Sequence, residues 1–179
     1  MPAMILQNCA RRAPHCQAEP RTVPKFSSKR RVNHSAAQMF DLVADCERYP
    51  EFVPLCKSLK IRQRTAKPDG SEIVICDMTV SFKLVREAFT TKVTLDRPNL
   101  KILVEYLQGP FSNLENRWSF ESRSDGVCDV GFFLEYEFKS RMLAMLMGTM
   151  FDTAFQRFAA AFEKRADVIY GKAGISRLS

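Results

Sequence analysis

Apolar residues recur at every second position in five stretches between residues 74 and 138. Val74, Cys76, Met78, Val80 and Phe82 form the first set. Val85, Phe89, Val93 and Leu95 form the second, interrupted by Glu87 and Thr91. Leu100, Ile102, Val104 and Tyr106 form the third; Leu114, Trp118 and Phe120, interrupted by Asn116, the fourth; Val130, Phe132, Leu134, Tyr136 and Phe138 the fifth. A period of two sends alternate side chains to opposite faces, so each set predicts a strand with one apolar face. Turn chemistry separates them at Pro68-Asp69-Gly70, Asp96-Arg97-Pro98-Asn99, Gly109-Pro110 and Asp125-Gly126. There Pro presets φ, and Gly or Asn accepts positive φ. Residues 57–138 therefore read as a run of antiparallel strands. The turn between 80 and 85 carries neither Gly nor Pro.

Two segments follow a helical period instead. Leu143, Leu146, Met147, Met150, Phe151, Ala154, Phe155, Phe158 and Phe162 are spaced by threes and fours, which predicts a helix over 140–169 with one broad apolar stripe. Gly171 is its natural stop. Upstream, Ser35-Ala-Ala-Gln38 is a capping box. The helix it opens carries Met39, Phe40, Val43 and Cys46 and ends near Glu47, since Pro50 restricts Tyr49. Phe26 to His34 forms a first strand, and Tyr49 to Leu55, bracketed by prolines, a loop or short helical turn. The order is thus strand, helix, six strands, long helix. The apolar sheet face needs a cover and the long helix supplies it, giving an α+β domain over 25–171. A curved antiparallel sheet of about seven strands would wrap around the C-terminal helix, enclosing an apolar cavity wherever the two do not meet.

Residues 1–24 carry four prolines and no sustained period. They read as a disordered extension, a targeting segment or a misassigned start; residues 172–179 read as a flexible tail. The net charge of +7 points at first to nucleic acid or a membrane surface. Its distribution weakens that inference. Residues 1–31 hold seven cations and one anion, whereas residues 32–171 hold 18 and 19. The domain is about neutral, so bulk charge does not choose its partner and no DNA partner is expected. No run of 18 apolar residues predicts a membrane span, and no secretory signal is expected.

The six cysteines contain no C-x-x-C pair, and Cys46, Cys56, Cys76 and Cys128 lie among apolar neighbours, as buried reduced thiols do. The two histidines are His15 and His34, too few for a histidine-based metal site or triad. No metal site is expected, and His34, just before a helix cap, reads as a solvated junction residue. No phosphate-binding loop, dinucleotide fingerprint, zinc-protease motif or nucleophile elbow occurs.

Several strings resemble a known family. They are Phe26-Ser-Ser-Lys-Arg-Arg-Val32, His34-Ser-Ala-Ala-Gln-Met-Phe-Asp-Leu-Val-Ala-Asp45, Arg48-Tyr-Pro-Glu-Phe-Val-Pro-Leu-Cys56, and Gly109-Pro-Phe with Leu114-Glu-Asn-Arg-Trp-Ser-Phe120. Over residues 25–170 the chain is similar to the coenzyme Q-binding branch of the START-like, helix-grip superfamily of polyketide-cyclase type. Bacterial relatives in that branch include the ribosome-association toxin RatA. The resemblance implies a non-enzymatic carrier or chaperone. It would hold a polyprenyl quinone such as ubiquinone in the sheet–helix cavity, as ligand rather than cofactor, and support respiration or quinone biosynthesis. It carries over no catalytic residue. It also implies a cytoplasmic protein at a bacterial membrane surface, or one on the matrix side of a mitochondrion.

The candidate cavity residues are Tyr49, Phe52, Val53, Trp118, Phe120, Met147, Phe151 and Phe155. Tyr49, Phe52 and Val53 form either a lid or core contacts fixing the first helix. Met142 to Phe151 is apolar all round, which suits an isoprenoid, a membrane or a partner as well as burial under loops. Trp118 serves core packing or ligand contact. Asn116, Glu87 and Thr91 interrupt apolar faces and need partners, among which a quinone head group is one. Two other functions stay open. Ribosome association would need a basic patch, and Lys57, Lys60, Arg62, Arg64 and Lys67 lie close in sequence, the middle three alternating onto one face. A cyclase or hydratase acting on a hydrophobic substrate would need an acid–base set that is not evident.

Overall fold

The computed structural model describes residues 23–82 and 84–172; the described side chains exclude Phe82 and residues 146–156. Most of the expected N-terminal extension, to residue 22, and the tail from residue 173 lie outside the described residues.

Strand β1 (Lys25–Val32) leads into α1 (Ala36–Ala44), a 3-10 turn (Cys46–Arg48) and the short α2 (Tyr49–Phe52). Six strands follow: β2 (Cys56–Ala66), β3 (Ser71–Phe82), β4 (Val85–Asp96), β5 (Lys101–Gln108), β6 (Phe111–Ser124) and β7 (Val127–Phe138). The chain closes with α3 (Arg141–Tyr170). All seven strands pair antiparallel in the order β1-β7-β6-β5-β4-β3-β2, one sheet curling about α3 as the alternation predicted. The connection between β3 and β4, without Gly or Pro, brings Phe82 opposite Val85.

Helix α1 starts where the capping box placed it. The Ser35 hydroxyl accepts from the Gln38 amide at 3.2 Å, and Gln38 Oε1 accepts from the Ser35 amide at 2.9 Å. It ends at Ala44, short of Glu47, because Asp45 leaves the helical region with ψ 60°. At α3 the Ser140 hydroxyl accepts from the Leu143 amide at 3.3 Å, and Gly171, at φ 83°, stops the helix.

The core joins α1, the concave sheet face and the second half of α3. Met39, Phe40, Val74, Cys76, Phe162 and Ala166 are all buried in it. His34 is also buried, contrary to expectation. Its Nε2 lies 2.9 Å from Asp167 Oδ1, because the end of β1 passes beneath the last turns of α3.

On the outer face, Asp129 is buried beneath cations. It accepts from Arg31 Nε at 3.1 Å and Arg123 Nε at 2.7 Å, with Lys29 Nζ at 3.9 Å. The hydrogen bond from Arg31 leads in holding its carboxyl below the ordinary carboxylate range, with Arg123 assisting and burial opposing. A carboxyl depressed in the folded state adds stability above its unfolded pKa and loses it as pH falls through the folded value. Asp129→Asn should therefore flatten the acid side of the stability profile below about pH 4, measured by urea midpoints across pH.

Lys60, Arg62 and Arg64 do not alternate onto one face. A bulge at Arg62 breaks the register between Ile61 and Gln63. Arg64 then faces Val74 on the concave side, while Lys60 faces Asp77 on the outer side. Arg62 is paired with Asp77, and Arg64 Nη1 lies 2.9 Å from Glu72 Oε2.

Candidate functional site

Between sheet and helix lies a cavity of about 220 Å³. Its floor is the concave face: Val74, Cys76 and Met78 of β3, Phe89 and Val93 of β4, and Val104 of β5 lie there in rows. Leu114, Trp118, Phe132 and Leu134 of β6 and β7 continue it. Val43, Cys46, Tyr49 and Val53 close one side, and Phe158 and Phe162 of α3 stand over it. Period-two patterning makes this floor apolar. A helix crossing a strongly curved sheet cannot touch all of it, and the space left is the cavity.

The few polar groups in the wall are mostly occupied. Asn116 Nδ2 donates to the Phe133 carbonyl at 2.8 Å, and Asn116 Oδ1 accepts from the Trp118 indole at 2.7 Å. This asparagine orients the tryptophan, and one of its two amide N–H groups is spent on the backbone. Tyr49 Oη donates to the Val43 carbonyl at 2.6 Å, tying α2 to the end of α1. Burial pushes the Tyr49 phenol well above its ordinary pKa, so it stays neutral. Thr91 brings one hydroxyl to the wall. Farther along β5 on the same face, Tyr106 Oη is buried without a hydrogen-bond partner. Nothing in this set pairs an acid with a base across the cavity.

Of the candidate residues, Tyr49, Val53 and Trp118 line the cavity. Phe52 and Phe120 do not. The Phe52 ring turns to α3, 5.1 Å from Phe162, with the Arg165 guanidinium 5.4 Å above it. Arg165 Nη2 also donates to Glu51 at 2.6 Å. Helix α2 is thus clasped to α3, and Tyr49 serves clasp and wall together. Phe120 lies two residues beyond Trp118 on β6, packed edge-on to Phe40 of α1 at 5.9 Å, because α1 covers that end of the sheet. The side chains of Met147, Phe151 and Phe155 lie outside the described residues. Residues that sequence reasoning passed over include Cys46, Cys76, Val104 and Phe162.

The sequence model of one protein family, described as polyketide cyclase / dehydrase and lipid transport, matches residues 32–163, which span β2 to β7, the cavity wall and most of α3. The chain belongs to this family. Among relatives, it is 33% identical over 141 residues to the ribosome association toxin RatA of Vibrio cholerae, covering 79% of this chain and 94% of that one. It is 28% identical over 152 residues to coenzyme Q-binding protein COQ10 homolog B, mitochondrial, of Xenopus laevis, covering 83% of this chain and 60% of that one. Among solved structures, the 18 kDa protein CC1736 of Caulobacter crescentus superposes with a TM-score of 0.70 at 30% identity, over 83% of this chain and 99% of that one. The Zhui aromatase/cyclase of Streptomyces sp. R1128 superposes with a TM-score of 0.71 at 12% identity, over 85% and 98%, a likeness of fold alone. The helix-grip fold is thus established, and it is one suited to hydrophobic ligands.

Proposed function

We propose that the chain binds the head of a polyprenyl quinone in this cavity and acts as a non-enzymatic carrier. The observation that carries this is the wall itself, which is apolar apart from a few groups whose hydrogen bonds are mostly made within the protein. An apolar cavity of about 150 Å³ holds benzene. One of about 220 Å³ suits a single substituted ring, with a long tail left to run outward. The COQ10 relative supports a quinone over other apolar rings. Among the described residues, the wall holds no acid–base pair of the kind that a cyclase or hydratase would need. Ribosome association draws support from the RatA relatives, but the two arginines of β2 lie on opposite faces and are each paired with an acid.

Trp118, the only tryptophan, is in the wall and reports on occupancy. A short-tailed ubiquinone analogue should quench its fluorescence saturably at one ligand per chain. Val104→Phe should abolish the quenching while holding or raising the melting temperature, since filling a cavity commonly adds about 0.5–2 kcal/mol. Organic extracts of the purified protein should contain quinone. Absence of both quenching and extracted quinone would overturn the assignment; a different extracted lipid would replace the ligand and keep the cavity.

A carrier must meet a membrane, although no described helix is long and apolar enough to cross one. Leu84 between β3 and β4, Leu107 near the end of β5, and Met142 and Met145 in the first turns of α3 are exposed. Topology gathers these segments at one end of the sheet, with exposed Arg86, Lys139 and Arg141 beside them. The cavity wall reaches toward that end through Leu55, Val80 and Phe111. Apolar side chains ringed by cations suit an anionic lipid surface. Leu84→Asp with Met145→Asp should weaken sedimentation with phosphatidylglycerol vesicles by about tenfold or more, since each change loses apolar insertion and adds repulsion.

A further inference from the structure

Two of the four described cysteines face the same cavity. Cys46 sits in the turn between α1 and α2, and Cys76 in the middle of β3. Their sulfurs are 3.8 Å apart and unbonded. A disulfide needs about 2.05 Å, within reach if the side chains rotate toward each other. The remaining two differ. Cys56 and Cys128 are buried but absent from the cavity wall, and desolvation pushes both thiols up to about 11. The cavity pair is electrostatically unlike them. The hydrogen bond from Cys76 holds the Cys46 thiol below its ordinary pKa, with burial opposing and the charge of Arg64 assisting. The same contact, followed by burial, pushes Cys76 up. Within the pair, the contact thus favours ionisation of Cys46 over Cys76, and the thiolate is the reactive form.

We propose that Cys46 and Cys76 form a redox dithiol that reduces a quinone seated in the cavity. This rests on the quinone-binding function above and adds a reaction to it. Two S–H bonds break and one S–S bond forms. The two electrons released pass to the quinone ring, and the two protons end on its two carbonyl oxygens, giving a quinol. No further reactant is needed for one turnover; a second requires an external thiol to reopen the disulfide by exchange. The new bond would also staple the α1–α2 turn to β3, joining two sides of the ligand's own cavity.

The test uses the fully reduced full-length protein without oxygen, mixed with 2,3-dimethoxy-5-methyl-6-decyl-1,4-benzoquinone. Its ring carries no hydrogen, which removes simple thiol addition at an open position. Trp118 quenching reports binding, chromatography measures quinol, and peptide mass mapping finds the linkage. About one quinol per chain and a Cys46–Cys76 peptide lighter by two hydrogens are expected. At quinone concentrations that saturate Trp118 quenching in each variant, Cys46→Ser and Cys76→Ser should each slow quinol formation about tenfold or more, whereas Cys56→Ser should leave its rate unchanged. Alanine versions of the first two guard against an effect of the new hydroxyl. A quinone that quenches Trp118 but leaves both thiols reduced, or is reduced equally fast by the serine variants, overturns the dithiol and leaves the carrier function standing. Absence of both quenching and extracted quinone overturns the carrier function itself, and the dithiol reaction with it.

Discussion

Phe162→Ala is expected to lower the stability of this domain by about 3–5 kcal/mol, the range for emptying a buried aromatic site. Phe162 is only 5% exposed. Its ring lies 5.3 Å from Tyr49, 5.1 Å from Phe52 and 5.4 Å from Trp118, each approached edge-on or steeply tilted. These rings come from α2 and β6, so one side chain of α3 locks the clasp to the sheet. Collapse cannot fill the hole, because the cavity already lies on the other side. At about 2–4 °C per kcal/mol for a chain of this size, the melting temperature should fall by about 6–20 °C. Phe158→Ala makes the contrast. Phe158 is half-buried at the cavity wall, so its loss enlarges a space already empty and should cost less. Denaturant titration of both variants checks the order. Equal losses would mean that the cavity is no weaker a neighbour than packed protein.

The apolar stripe of α3 was legible in the sequence, but the depth of each ring along it was not. Spacing by threes and fours shows which residues share a side of a helix, not where the helix crosses the sheet. The crossing puts Phe162 against three rings and leaves Phe158 at the cavity. The sheet was legible almost in full, since period two and turn chemistry are local signals. The same alternation placed Trp118 and Asn116 on one face two residues apart, the spacing that lets the indole donate to the amide. The bulge at Arg62 left no such mark, having neither Gly nor Pro, and it undid the expected alignment of Lys60, Arg62 and Arg64. Phe52 and Phe120 read as cavity residues because they are apolar and near the family strings; a contact with α3 and another with α1 took them elsewhere. His34 was misjudged for a related reason, since its cover comes from Asp167 and Tyr170, over 130 residues away in sequence. The Cys46–Cys76 contact likewise joins residues 30 apart with no spacing motif between them.

Gly109→Ala should be about as damaging as the loss of Phe162, although Gly109 buries no side chain. It joins β5 to β6 with φ 138°, a conformation side chains rarely adopt. A Cβ there would stand 2.6 Å from Phe89 Cβ and 2.9 Å from the Ala88 carbonyl oxygen. Those atoms belong to the backbone and root of β4, so no rotamer change relieves them. Strain in φ costs about 1–3 kcal/mol, and overpacking about the same again, giving about 2–6 kcal/mol. The damage would reach the site, since Phe89 lines the cavity and its ring lies 5.3 Å from Phe111, two residues beyond the glycine. Gly131→Ala is the control. Its Cβ would meet only the Ser119 side chain closely, at the hydroxyl oxygen, which can rotate away. Gly131→Ala should therefore cost clearly less, and adding Ser119→Ala should recover most of the loss. Denaturation midpoints and Trp118 quenching by the quinone analogue, measured together, should show Gly109→Ala losing both stability and binding. A Gly109→Ala protein as stable as Gly131→Ala would mean that the β5–β6 turn does not press on β4 as this geometry requires.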